Sequence, residues 1–310
     1  MTVTSRGGRA TLALCAAALG ALAASAAPAQ RAQQSENEFN WTGQIPEGAT
    51  VRVFTVSGRV NVTPSSGRGA RIHGVKRRSE DGRGDLRHLE FEMRRDGNDI
   101  IVCGLYAGYS ECEGDGIDTG RKPNRYGNNV RADFTVELPR GVHLRVGSGN
   151  GDLEVAGATA NVSAASGNGD VSVGEGAGQV QASSGNGRVQ VEEARGEVEA
   201  STGNGRVSVV TGTGPVNASS GNGSIDVRMG RIRGDEDMEF SSGNGSITLT
   251  LPPDFSGEID ATTGNGGIDS DFPVQVQGRL SRHRLHGTIG QGGRRIRLST
   301  GNGSIHLRRT

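Results

Sequence analysis

Val162-Ser163-Ala164-Ala165-Ser166-Gly167-Asn168-Gly169-Asp170-Val171-Ser172-Val173, followed by VQASSGNGRVQV at 180–191 and VEASTGNGRVSV at 198–209, is the stretch that decides how this chain folds. In each copy apolar side chains stand six and four positions before the Asn and three and five after it: Val162, Ala164, Val171 and Val173 around Asn168, or Val180, Ala182, Val189 and Val191 around Asn186. Polar residues such as Gln181, Gln190, Glu199 and Ser208 alternate with them. A period of two on both sides of a Gly-Asn-Gly corner predicts two short β-strands per repeat and no helix.

The motif [Ser/Thr]-Gly-Asn-Gly places its Asn at Asn150, Asn168, Asn186, Asn204, Asn222, Asn244, Asn265 and Asn302. The first five are 18 residues apart, the next steps are 22 and 21, and the last, 37, fits two coils of which one lacks the motif. A single pair of such strands cannot bury enough surface to be stable, whereas stacked coils line their Val and Ala into one core. The prediction is an all-β fold, a single-chain parallel β-solenoid with coils of about 18 residues. Glycines flanking the Asn permit positive φ at a tight corner, and stacked Asn side chains can hydrogen-bond up the ladder.

Composition agrees with this reading. Of 310 residues 52 are Gly, hydrophobic residues make up 33% and aromatics 4%, which leaves disorder or a thin, turn-rich core. The periodic apolar pattern decides for the core. Collagen needs Gly at every third position, and Val198 to Thr202 contains none. Lys+Arg 34 balance Asp+Glu 34, so nucleic acid is excluded as the main partner. A calcium-binding roll would need the Asp of Asp152 and Asp170 in every coil, but Arg188, Arg206, Ser224, Ser246, Gly267 and Ser304 take that place.

The first residues read as an export signal. Arg6 and Arg9 precede an uncharged Ala/Leu run from Ala10 to Ala27, with cleavage expected near Ala26 or Ala29. The run is Ala-dominated and marginal against the ~20 strongly apolar residues of a membrane span. A bulky Leu14 before Cys15 argues against lipidation there. Residues 1–29 are therefore expected to be a signal peptide, 30–40 a short linker, and 41–310 the solenoid, with no transmembrane span in the mature chain. The protein is expected in the periplasm, on the outer surface or secreted. Between 103 and 129 the alternation stops, predicting a projecting loop pinned by a Cys103–Cys112 disulfide.

The Pro139-Arg140-Gly141-Val142 lead-in, the Gly-Asn-Gly coils, and the closing segment from Gly287-Thr288-Ile289-Gly290 to Gly301-Asn302-Gly303-Ser304-Ile305 resemble exported bacterial proteins carrying the adhesin-labelled domain of unknown function called toastrack-like. The resemblance covers roughly residues 41–310. It implies a β-solenoid of the cell envelope and a label of adhesion, with no active site to carry over.

Function is thus expected to be non-catalytic: surface adhesion or a structural, interacting solenoid, with no cofactor. An envelope scaffold or sensory module acting with a membrane partner is the alternative, and a polysaccharide-active β-helix enzyme the third class. The outward row four after each Asn reads Glu154, Ser172, Gln190, Ser208, Asp226, Thr248, Asp269 and His306, with no two acids in adjacent coils; the opposite row offers Glu239 beside Asp260. Two groups are candidates for surface contact. Tyr106, Tyr109 and Tyr126 could stack on sugars. Arg279, Arg282, Arg284, Arg294, Arg295 and Arg297 follow the last acidic residue, Asp271, and could meet an anionic envelope polymer, a glycan or a protein, or else cap the exposed end.

Overall fold

Each regular coil contributes one strand to each of two sheets. Around Asn186 these are Val180–Asn186 and Val189–Ala194; around Asn204, Val198–Asn204 and Val207–Thr211. The structure is a computed structural model and describes residues 31–78, 84–119, 129–157, 160–175, 178–277 and 281–310. The sheets have 13 strands each, and neighbouring coils pair in parallel with every Asn directly beside the next. Inward positions follow the predicted alternation: Val171, Val189 and Val207 are fully buried in one row, Val180, Val198 and Val216 in the facing one. A single 3-10 turn at Leu86–His88 is the one helical segment among the described residues.

Close stacking fixes the glycines of the corner. A Cβ on Gly205 would lie 2.0 Å from the Gly187 carbonyl oxygen, and one on Gly203 2.5 Å from that of Gly185. Both obstacles are backbone of the neighbouring coil, which cannot swing aside. Gly205→Ala is therefore expected to destabilise the stack by about 3 kcal/mol. Gly267→Ala, with nothing within 4 Å of its added Cβ, is expected to change stability by less than ~0.5 kcal/mol. Urea melts of the two variants check this, and equal midpoints would contradict the stacking.

The solenoid does not run uniformly from 41 to 310, because both ends are closed by antiparallel strands. At the amino-terminal end Thr50–Ser57 and Val60–Pro64 form the first coil, and His143–Asn150 with Leu153–Val155 form the second. The intervening chain folds as a cap: Gly69–Arg78 runs antiparallel to Val130–Leu138, and Leu89–Asp96 antiparallel to Asp99–Tyr106. Arg31–Gln34, expected within a linker, pairs antiparallel with Glu38–Gln44 at the sheet edge. Four of the eleven aromatics gather under this cap, where Phe91 packs 5.9 Å from Phe39 and 5.5 Å from Phe134, with Trp41 also buried. A core wider than the Val/Ala interior of the regular coils needs larger side chains to fill it.

The other end departs from chain order. The strands Arg295–Asn302 and Ile305–Arg309 do not add beyond the coil of Asn265. They lie between it and the coil of Asn244, so the stack runs Asn222, Asn244, Asn302, Asn265. The 37-residue step is therefore no pair of sequential coils. After Ile268–Ser270 the chain forms an antiparallel edge from Val274–Val276 and Arg284–Ile289, then returns into the stack. Charge explains the interleaving. Direct stacking would set Glu239 against Asp260 and Asp237 against Glu258; instead Arg297 stands between the first pair and Arg295 between the second. Like charges directly opposite destabilise a sheet, and alternating signs stabilise it.

Candidate contact surfaces

The corner carries two ladders. On the outside, Asn168 Nδ2 donates to Asn150 Oδ1 at 2.8 Å, and the chain of amides continues through Asn186, Asn204, Asn222 and Asn244. It then passes to Asn302 and finally Asn265, each at 2.7 Å. On the inside, the Ser or Thr two positions before each Asn is buried and donates to a corner carbonyl of the neighbouring coil. Ser184 Oγ reaches Gly169 O at 2.8 Å, Thr202 Oγ1 reaches Gly187 O at 2.8 Å, and Thr300 Oγ1 reaches Gly245 O at 2.8 Å. This hydroxyl ladder satisfies carbonyls that the turn leaves out of the sheet. Sequence reading passed over it, although the invariant choice of Ser or Thr at that place in every repeat was its signal.

Beside the Asn row lies an outward row of short side chains in register: Ala165, Ser183, Ser201, Ser219, Ser241, Ser299 and Thr262. Its rungs repeat every ~4.8 Å. The result is a row of short, mostly polar side chains along the stack.

The predicted arginine end is not an unbalanced positive cap. Arg295 pairs with Glu258 at 3.2 Å, and Arg297 lies in register between Glu239 and Asp260. Arg294 reaches the Gly234 carbonyl. Arg308 pairs with Asp269 at 2.8 Å and Asp271 at 3.0 Å; its hydrogen bond to Asp271, with that to Asp269, holds the guanidinium above its ordinary pKa. Sequence order put the acids before the arginines, and interleaving brings them side by side. Arg282 and Arg284 remain exposed on the antiparallel edge. The same insertion separates Glu239 from Asp260 and Asp237 from Glu258, acid pairs that sequence order would set in neighbouring coils.

Of the predicted tyrosines, Tyr106 offers no stacking face. Tyr106 is only 3% exposed, its hydroxyl donates to the Val130 carbonyl at 3.2 Å, and burial pushes its phenol pKa up. Tyr109 packs half-buried against the core. Tyr126, Arg279 and the expected signal segment lie outside the described residues.

Cys103 and Cys112 are joined in a disulfide, but Cys103 stands inside the strand Asp99–Tyr106, in register with Phe54, rather than at the start of a loop. The apolar run Ile100 to Leu105 is buried on both faces, because the hairpin of Glu111–Cys112 and Ile117–Asp118 covers the outer one. Phe54, Ile101, Cys103, Leu105, Cys112 and Ile117 form a small second core there. Arg145 bonds Asp115 across the hairpin at 2.7 Å. Replacing both cysteines with Ser is expected to cost about 2 to 3 kcal/mol on the loop-entropy scale. Hydrogen exchange should show amides 111–118 deprotected while coils 162–222 keep their protection. An unchanged hairpin, or collapse of every coil, would contradict this placement.

Among the described residues no three His, Cys, Asp or Glu side chains cluster to hold a metal, and no helix is long and apolar enough to cross a membrane.

Two stacked parallel sheets joined at bonded Gly-Asn-Gly corners define the class as a repeat β-solenoid. The chain belongs to the toastrack DUF4097 family, whose family model matches residues 71–308. Among solved structures it is similar to a "putative cell adhesion protein" from Clostridium sporogenes, with 13% identity, 90% of this chain and 100% of that one covered, and a TM-score of 0.25. It is also similar to a "putative adhesin" from Bacteroides fragilis, with 13% identity, 88% and 98% covered, and a TM-score of 0.38. Such low identity and superposition transfer no role. No curated protein matches the chain.

Proposed function

We propose that this protein is an exported, non-catalytic module of the bacterial cell envelope that works by surface contact, as an adhesin or a structural solenoid. The observation that carries the reading is the polar row in which Ser183, Ser201, Ser219, Ser241 and Ser299 run in register beside a continuous ladder of Asn amides. Side chains this short lose little entropy on contact, and their even spacing suits an extended, repetitive partner through many weak contacts.

Two measurements test it. Amino-terminal sequencing of the exported protein should give a start between Ala27 and Gln30, whereas an intact Met1 or a lipidated Cys15 would reject export as argued. Purified protein should attach to envelope surfaces in a dose-dependent way, and Ser201→Arg with Ser219→Arg should weaken attachment several-fold by interrupting the row of short side chains. Release of sugar from a polysaccharide would make the protein an enzyme and overturn the reading. Stoichiometric co-purification with an envelope complex, without attachment, would replace adhesion by scaffolding.

A further inference from the structure

We propose that the turn region beside the coils of Asn186, Asn204 and Asn222 holds a binding cleft for an acidic sugar, recognised by Arg195, Arg228 and Arg233. The cleft has a volume of about 740 Å³ and is lined by these three arginines together with Glu193 and Val210. Elsewhere these coils repeat almost without variation. Their two irregularities converge here.

The first is a bulge. Pairing between Val189–Ala194 and Val207–Thr211 shifts register between Glu192 and Ala194, and Glu193 takes φ 49°, the one positive-φ residue other than glycine among those described. L side chains rarely adopt that conformation, and such outliers gather at functional sites. The second irregularity is length. The step from Asn222 to Asn244 is 22 residues instead of 18, and the additional residues fall in segment 230–237, between Ile225–Met229 and Met238–Asn244. Arg231 N bonds Gly212 O at 3.0 Å and Arg233 N bonds Thr213 O at 3.2 Å, which lays this segment along the preceding turn as a wall of the cleft.

The chemistry of the lining is specific. Arg195, Arg228 and Arg233 are exposed, and among the described residues none forms an ion pair, in contrast to the arginines near the end of the sequence. Guanidinium groups recognise carboxylate and phosphate through paired N–H donors. Val210 is 40% exposed, one of two large apolar side chains left so open among the described residues, and it lies in register beside Arg228. An apolar side chain on the strand next to Arg228 fits a sugar ring, whose C–H face can rest on Val210 and the arginine stems while its acidic group meets the cations. Glu193 in the lining can accept hydrogen bonds from hydroxyls of the sugar. This inference deepens the surface-contact reading by naming a ligand class, and it rests on that reading for its biological setting alone.

The experiment titrates the purified full chain with oligogalacturonate, a phosphorylated oligomannoside, neutral dextran and phosphatidylglycerol vesicles. Wild type should bind one or both acidic oligosaccharides and ignore dextran; the carboxylated and phosphorylated arms decide which acidic group is preferred. Arg195→Ser/Arg228→Ser/Arg233→Ser should lower that affinity at least ten-fold with an unchanged circular-dichroism melt. Arg68→Ser/Arg140→Ser, which removes exposed arginines elsewhere, should bind as wild type. Val210→Asp in the otherwise intact chain should weaken binding by a similar factor, which keeps the test decisive if the triple variant folds poorly. Wild-type failure to bind, equal losses in the two arginine variants, or preference for vesicles over oligosaccharides would overturn the proposal. If envelope attachment persists while oligosaccharide binding is absent, the cleft assignment falls and the surface-contact reading stands.

Discussion

Val189→Asp is expected to unfold the coils around Asn186 and to lower the stability of the whole stack by about 4 kcal/mol or more. Val189 is fully buried, and its row neighbours Val171 and Val207 are fully buried as well. A carboxylate placed there has no cation or donor within the Val/Ala interior, and burying an unpaired charge costs several kcal/mol even after the group takes up a proton. Damage should spread, since each coil in a solenoid is held mainly by its neighbours. Gln190→Asp one residue later points outward, where Gln190 bonds Glu192 at 2.6 Å, and should change stability by no more than ~0.5 kcal/mol. Denaturant midpoints of the two variants are the measurement. Equal midpoints would mean that the strand facing is wrong.

Deleting residues 295–310 should have an effect at least as large, and in an unusual place. In a stack that follows chain order such a deletion trims an edge coil and leaves the rest intact. Here it empties a slot between the coils of Asn244 and Asn265. Ile296, Leu298, Ile305 and Leu307 are all fully buried, so the loss is about 6 to 12 kcal/mol of apolar burial. The coil of Asn265 could regain partners only by stacking directly on that of Asn244, and that contact sets Glu239 against Asp260 and Asp237 against Glu258. Hydrogen exchange on the shortened chain should therefore show residues 257–289 unprotected while coils up to Asn222 remain protected. Full protection of 257–289 would show that direct stacking is adequate, and that charge does not enforce the interleaving.

The regular coils were legible because their signal is local. Val180, Ala182, Val189 and Val191 repeat at a fixed distance from Asn186, and period two assigns their facing without any knowledge of the partner. The family resemblance read from the same residues holds as well. What stayed hidden depends on which coil lies beside which. Nothing within Arg295-Ile296-Arg297 says that it inserts between earlier coils; the clue was relational, in the acids at Glu239 and Asp260 that chain order would have set together. The tyrosines misled for a similar reason. Tyr106 looked like a loop aromatic because Gly and charges follow it, yet the strand Asp99–Tyr106 extends that far and carries it into the cap. Arg195, Arg228 and Arg233 are scattered in sequence and line one cleft because a bulge and a long turn fall two coils apart, on either side of the coil of Asn204.

The interleaved coil also divides the molecule by folding time. Regular coils close loops of 18 residues, since Asn186 bonds Asn168 and Asn204 bonds Asn186. Asn302 must find Asn244 across 58 residues and Asn265 across 37. Loop-closure entropy grows only slowly with length, by ~0.6 kcal/mol per doubling, but non-local pairing slows folding more than it weakens stability. Refolding should accordingly show a fast zippering phase from the coils between Asn150 and Asn222, then a slower one in which the segment beyond Asn244 settles. Until that second phase ends, the edge of the coil of Asn244 is an open template for another chain, and misassembly of this protein should begin there.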